Sequence, residues 1–313
     1  PELAAVLASN ELSHKRGVPM KKVLGDKRTI FLFCLPGMVL FLAFVIYPLI
    51  NVVVMSFQQY NGVTPGTLNG LENYWKIFQE EDFWAANWRS LYLCLLTMFV
   101  DTFLVLVFTL IIVGLNRTMQ KLCKIAFLLP FVLSISVISQ LWLAIYHPDW
   151  GILNAFLDAI GLHSLTHGWL LDPNTAMVCI GFVGMWWIFG MQLLLIYTGY
   201  RSIPETYFEA AEIDGANYLQ KVRAITIPLL RNILQLSLIM TSVGGLYTFP
   251  QVYIMTKGGP GNSTETIMMY MYKQVFSNQR FGLGSSIAVV AILETCIVLV
   301  IIMMLTKQKK IEF

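Results

Sequence analysis

Charge is what this sequence has least of. Asp, Glu, Lys and Arg make up 12% of its 313 residues, apolar types 57%, and mean hydropathy is +0.66. Soluble domains carry about 25% charged residues. Half that supply cannot coat a water-facing surface, which excludes an ordinary soluble enzyme, a disordered chain and a nucleic-acid binder. Paired cysteines are missing too. Cys34, Cys94, Cys123, Cys179 and Cys296 are scattered singly, mostly in apolar stretches, with no CxxC and no Cys/His cluster. Neither a disulfide framework nor a zinc site is indicated. There is no G-x-x-x-x-G-K phosphate loop, so this chain brings no ATP-hydrolysing site of its own. Strand-period alternation is also absent, which argues against a β-barrel and for an all-α polytopic membrane protein.

What is present is a set of long apolar runs. A membrane-crossing helix needs about 20 such residues, and six segments qualify: 30–50, 91–114, 125–146, 176–199, 229–249 and 285–306. Prolines fall near the starts (Pro36, Pro130, Pro228) or ends (Pro48, Pro250) of these runs, where a missing N–H costs least. Basic residues orient the spans. Sixteen fall on one side and five on the other: on the first side six precede the first span, and Arg117, Lys121, Lys124, Arg201, Lys221, Arg223, Arg231, Lys307, Lys309 and Lys310 follow. The loop 147–175 has none. Both termini are therefore expected in the cytoplasm, with 1–29 as an inner leading segment and 307–313 as an inner tail. Residues 1–19 show no signal-peptide apolar region. Met20-Lys21-Lys22 reads as a natural start, which makes 1–19 an upstream or vector-derived remnant.

One inner loop is long and polar, residues 201–230. Ser202 followed by Glu205 fits a capping box, with Pro204 in the first turn and Gly215 as a left-handed stop after Asp214. The spacing predicts a short helix over 203–214. Its Tyr207, Phe208 and Ile213 around the small Ala210 and Ala211 suit close approach by another protein. They equally suit an amphipathic helix resting on lipid.

These residues carry a resemblance. Glu209-Ala210-Ala211, Asp214-Gly215-Ala216 and Ile225-Thr226-Ile227-Pro228 are similar to the EAA loop of ABC importer permeases, in which the loop helix docks on a cytoplasmic ATPase. Val222 departs from that pattern, where Phe is usual, with an expected effect on packing at the ATPase groove. Tyr47-Pro48, Ser56-Phe57 and Gly70-Leu71-Glu72-Asn73-Tyr74 resemble the opening of the sugar-type members of that family. Lys257-Gly258-Gly259-Pro260-Gly261-Asn262-Ser263-Thr264-Glu265-Thr266, followed by Phe281-Gly282, resembles their outer signature. Arg89-Ser90 departs, where Asn-Thr is common. The resemblance covers most of the chain from about residue 30.

It implies a type I importer permease with its transmembrane domain at 30–306 and its coupling loop at 201–228, in a bacterial cytoplasmic membrane. The implied partners are a second permease subunit, two copies of an ABC ATPase that bind ATP and Mg, and an extracytoplasmic solute-binding protein. The chain itself is expected to bind no cofactor and no metal and to catalyse nothing. The coupling residues would be Tyr207, Phe208, Glu209, Ala210, Ala211, Asp214 and Gly215, with Glu209, Asp214 and Gly215 carrying the coupling and Tyr207, Phe208 and Ala211 as the docking surface.

A polar solute needs hydrogen-bonding groups and flat apolar faces along its path. The fourth span supplies Trp186, Trp187, Ile188, Met191 and Gln192; the fifth supplies Thr241, Gly244, Gly245 and Thr248 at i, i+3, i+4 and i+7. In the maltose-type permeases the substrate contacts fall in these two spans at matching distances from the motifs. Small residues in such a stripe also serve plain helix packing in membranes. Asp101 and Glu294 lie deep in spans without a Lys or Arg at similar depth, and such groups are functional suspects. They leave open a proton-coupled carrier. The lack of intramembrane cations argues against an anionic solute. His147, His163 and His167 fit no ligand motif, and with Tyr146, Trp150 and Trp169 they read as an interfacial belt or a seat for the binding protein. The expectation is a permease for a neutral carbohydrate, an oligosaccharide. A polyol or glycerophosphodiester importer of the same build, and a sensory membrane subunit that binds ATPases without moving solute, are its rivals.

Overall fold

The computed structural model describes residues 27–306. The expectations placed on residues 1–26 and 307–313, including the basic residues Lys15, Arg16, Lys21, Lys22, Lys307, Lys309 and Lys310, lie outside the described residues. The chain divides into two compact units at Val54 and Met55. The first holds most of α1 (Ile30–Ser56), an apolar helix long enough to span a membrane. Its turn at Leu42–Ile46 is a π-turn, and Tyr47 donates its N–H to the Leu42 carbonyl. Pro48 explains the widening: it cannot donate to the carbonyl four residues back. The same pairing recurs at Val222–Thr226 before Pro228.

The second unit opens with a small antiparallel hairpin, β1 (Gln58–Gln59) with β2 (Thr67–Leu68). It continues through α2 (Glu72–Gln79), α3 (Glu81–Val113), α4 (Arg117–Val132), α5 (Ile135–Ile145) and α6 (Ile152–Ala159). Next come α7 (Ala176–Arg201), α8 (Glu205–Ile213), α9 (Tyr218–Lys221) and α10 (Arg231–Leu246). Last are α11 (Pro250–Met255), α12 (Ile267–Tyr272) and α13 (Phe281–Leu305).

Among the described residues, α1, α3, α7, α10 with α11, and α13 are each long and apolar enough to cross a membrane. The third expected span is not one rod: α4 and α5 meet at 99°. Pro130 sits in the last turn of α4, Leu133 is extended, and Ser134 caps α5 by accepting the Val137 N–H at 3.4 Å. The span expected at 125–146 therefore starts eight residues earlier, at Arg117, and breaks at Leu133–Ser134. The second span starts at Glu81 rather than 91, because Glu81 and Asp82 provide an acidic first turn. α7 is the central helix, in contact with α3, α4, α5 and α10.

Two motifs far apart in sequence close one knot. Asn73, 5% exposed, donates through Nδ2 to the carbonyls of Ser56 and Gln58, both at 2.9 Å. Tyr74 donates to Ser56 Oγ at 2.7 Å. Gly282, at the start of α13, donates its N–H to the Tyr60 carbonyl at 3.1 Å and leaves no room for a Cβ against the Gln58 carbonyl. Glycine is required there by the backbone's close approach.

Candidate functional site

The coupling loop is built from the end of α7. α8 begins at Glu205 with Pro204 as its N-cap, and no side chain caps it. The Ser202–Glu205 capping box is thus corrected: Ser202 instead donates back to the Gly199 carbonyl at 2.7 Å, and Pro204 holds an extended backbone. A true capping box forms further on, where Asn217 and Gln220 bond each other's backbone N–H at 2.9 and 2.7 Å. The far end of α8 is as expected. Gly215 has φ +73°, and the Ala216 and Gly215 N–H groups donate to the Ala211 and Glu212 carbonyls at 2.9 and 3.0 Å. That is a Schellman stop.

Which residues face out is now legible. Tyr207, Glu209, Ala210 and Ile213 are exposed. Phe208 is half-buried and stacks on Tyr200 with ring centroids 5.7 Å apart, so it anchors α8 to its own chain. Ala211 is half-buried too. Lys221 pairs with Glu212 at 2.5 Å across a cavity of about 650 Å³ behind α8. Val222, 8% exposed, lines that cavity. Its departure from the usual Phe therefore bears on the packing of the loop against its own body rather than on an external groove.

Sequence reasoning missed the clamp that fixes this end of α7. Gln120 Oε1 accepts from Tyr197 Oη at 2.7 Å and from Arg201 Nη2 at 2.9 Å. Gln120 Nε2 donates to the Val113 and Leu115 carbonyls at 3.0 and 2.7 Å. A glutamine in an apolar helix reads as neutral filler; only the fold shows that it joins α4 to α7 and to the α3 turn.

The expected pathway residues converge in part. Trp187, Ile188, Thr241, Gly244, Gly245 and Thr248 line one pocket between α3, α7 and α10. Thr97 and Gln251, not singled out from the sequence, line it as well. Gly244 faces open space, whereas a Cβ on Gly245 would lie 2.6 Å from the Cys94 Cα, so Gly245 is also a packing residue. The Thr241 and Thr248 hydroxyls bond back to carbonyls of their own helix, at 3.0 and 2.9 Å. Trp187 donates to the Leu133 carbonyl at 2.9 Å, which the break in the third span sets free. Met191 and Gln192 do not line the pocket; Gln192 is fully buried with both amide atoms unpartnered. Trp186 packs edge-on against Trp142 at 5.5 Å. The pocket volume is about 60 Å³. Sites for small organic ligands run to about 300–1,000 Å³, so this narrow space admits water, not a sugar ring.

The outer signature reaches this pocket. Thr266 donates to the Thr248 carbonyl at 2.8 Å, and the Ile267 N–H donates to Ser90 Oγ, also at 2.8 Å. Glu265, 4% exposed, pairs with Lys273 at 2.9 Å. Tyr270 donates to the Glu80 carboxylate, and burial together with that bond pushes the phenol pKa above its ordinary value. Glu294 accepts from Asn87 Nδ2 at 3.2 Å, whereas Asp101, 1% exposed, has no partner on either oxygen. His163 bonds Asp158 at 2.8 Å, His147 stacks on Trp150, and no group of potential metal ligands occurs among the described residues.

A helical bundle of membrane-spanning length, with an internal pocket and an ordered polar loop at the far end of its central helix, defines a multi-pass transport-type membrane subunit. Residues 95–311 match the family described as binding-protein-dependent transport system inner membrane component, and the chain belongs to that family. Similar proteins include the probable ABC transporter permease YurN of Bacillus subtilis, 34% identical over 85% of this chain and 91% of its own. The sulfoquinovosyl glycerol transport system permease SmoG of Agrobacterium fabrum is 31% identical over 85% of this chain and 86% of its own. Among solved structures, a chain of a bacterial alginate ABC transporter, crystallised with an alginate pentasaccharide-bound periplasmic protein, shares the fold. Its TM-score is 0.79 at 20% identity, over 93% of this chain and 98% of that one. The protein is a multi-pass component of the cytoplasmic membrane and a transport subunit, not a catalytic one.

Proposed function

We propose that this chain is one of two permease subunits of an ATP-driven importer of a neutral carbohydrate, an oligosaccharide. Both termini lie in the cytoplasm, an extracytoplasmic binding protein delivers the solute, and two ATPase subunits holding ATP and Mg dock on the exposed face of α8. The observation that carries the reading is the continuity of α7. The same unbroken helix lines the pocket at Trp187 and Ile188 and holds the loop at Tyr200 and Arg201. Fourteen residues at 1.5 Å each separate Trp187 from Arg201 by about 21 Å. With the Gln120 clamp and the Phe208 stack fixing its inner end, a push on α8 is passed to the pocket wall.

The carbohydrate reading draws on the relatives named for a sugar glycoside and for alginate. Neutrality draws on the pocket, in which no Lys, Arg or His is a lining residue. Glu209, Asp214 and Gly215 set the loop's shape and polarity, with Tyr207 and Ala210 as the docking surface. The test is a docking variant. Ala210→Trp, on the outward face, is expected to abolish co-purification of the ATPase and its stimulation by sugar-loaded binding protein, with membrane insertion unchanged. An Ala210→Trp complex that assembles and couples normally contradicts the docking role.

A further inference from the structure

Most buried polar side-chain atoms in folded proteins find a hydrogen-bond partner, and each exception needs an explanation. Of twelve such unpartnered atoms among the described residues, five belong to Asp101, Gln192 and Gln251. All three residues are placed about the pocket. Gln251, 8% exposed, lines it with Oε1 unpartnered. Asp101 follows the lining residue Thr97 by four positions in α3, and Gln192 follows the lining residue Ile188 by four positions in α7. Four residues is one turn along the same face. Both steps run toward the helix ends nearest the coupling loop. Below them Val105 packs with Leu193 and Ile196 in an apolar cluster. Asp101 and Gln192 thus occupy a layer between the pocket and an apolar seal. Beside this layer, Thr102 and Ser237 hydroxyls meet at 3.5 Å, joining α3 to α10. Asp101 also closes the π-turn Thr97–Asp101, an irregularity frequent at functional sites in helices.

We propose that Asp101, Gln192 and Gln251 extend the solute path in both directions from the pocket, and that their missing partners are the hydroxyls of a neutral polyhydroxylated solute. Gln251 serves the outer side. Asp101 and Gln192 form the inner constriction, shut in this structure and opened when α7 is displaced. A carboxyl and two primary amides suit this task, since each can accept from hydroxyls and the amides can also donate. The inference rests on the pocket being the solute path, and the test keeps the two apart.

The experiment is cysteine labelling in membrane vesicles holding the assembled complex. The five native cysteines are replaced, and single cysteines are placed at Thr97 in the pocket, at Asp101, Gln192 and Gln251, and at Phe103, a 64% exposed apolar position of α3, as the reference outside the pocket. The probe is the membrane-impermeant cationic reagent methanethiosulfonate-ethyltrimethylammonium, applied with and without ATP plus vanadate. The expected result is labelling of Thr97→Cys and of all three proposed positions at least tenfold faster than Phe103→Cys in one of the two conditions. If Thr97→Cys labels and the three do not exceed Phe103→Cys, the extended path is wrong and the pocket reading survives. If Thr97→Cys is also silent in both conditions, the pocket reading falls and the proposal with it. Should a replacement in the inner layer prevent assembly, Ser237→Cys in the same layer takes its place under the same criterion.

Discussion

At the scale of single residues, the structure explains positions that the sequence marks only as unusual. Ser90 is fully buried, and its Oγ accepts the Ile267 N–H that opens α12. Removing that acceptor strands a buried donor, at a cost of about 1–3 kcal/mol. Ser90→Ala is therefore expected to lower the thermal midpoint of the detergent-solubilised protein, and Ser90→Thr to keep it. An unchanged midpoint in Ser90→Ala would mean that the bond does not hold α12. Gly215 was legible from the sequence because a positive φ after an acidic helix end has one favoured residue. The cap at the other end of α8 was not. Proline at 204 restricts Ile203 to extended backbone, which removes Ser202 from the position a capping residue needs. Gln120 and Gln251 carried no signal at all: nothing in sequence distinguishes a buried amide that clamps two helices from one that faces a pocket.

At the scale of elements, the six apolar runs are all helical, and their existence follows from length and hydropathy alone. Their ends and their straightness do not. α3 extends ten residues further toward its N-terminus, through a stretch that lacks span-like composition. The 99° break in the third span lies three residues after Pro130, at a place set by the Ser134 cap and by Trp187, which satisfies the Leu133 carbonyl. Motif pairs were visible without their purpose: Asn73 and Gly282 meet only because α13 packs against the hairpin. The coupling element yields a prediction of its own. Val222 borders the cavity of about 650 Å³ behind α8, so Val222→Phe buries added apolar surface and is expected to stabilise the loop by about 1 kcal/mol. Slower protease cleavage within 201–228, with transport retained, is the expected outcome. Faster cleavage would place Val222 in a site already full.

At the scale of the molecule, the account is a lever. A continuous α7 joins an exposed loop helix with a Schellman stop to a narrow pocket, and the chain's own residues include neither a phosphate loop nor a cation in that pocket. In the proposed reading, energy comes through the loop. Of the two candidate proton carriers, Glu294 accepts a hydrogen bond from Asn87 and Asp101 has no partner among the described residues. The measurement that bears most directly on the lever is uptake of radiolabelled neutral sugars by cells with the native chain, without it, and with Gly215→Pro. Proline cannot adopt φ +73°, so the variant deforms the stop of α8 and leaves the spans alone. An uncoupler is added in parallel at constant cellular ATP. The account predicts that uptake of one oligosaccharide is lost in the deletion and in Gly215→Pro, and resists the uncoupler. Uptake that survives Gly215→Pro and collapses with the proton gradient would contradict it.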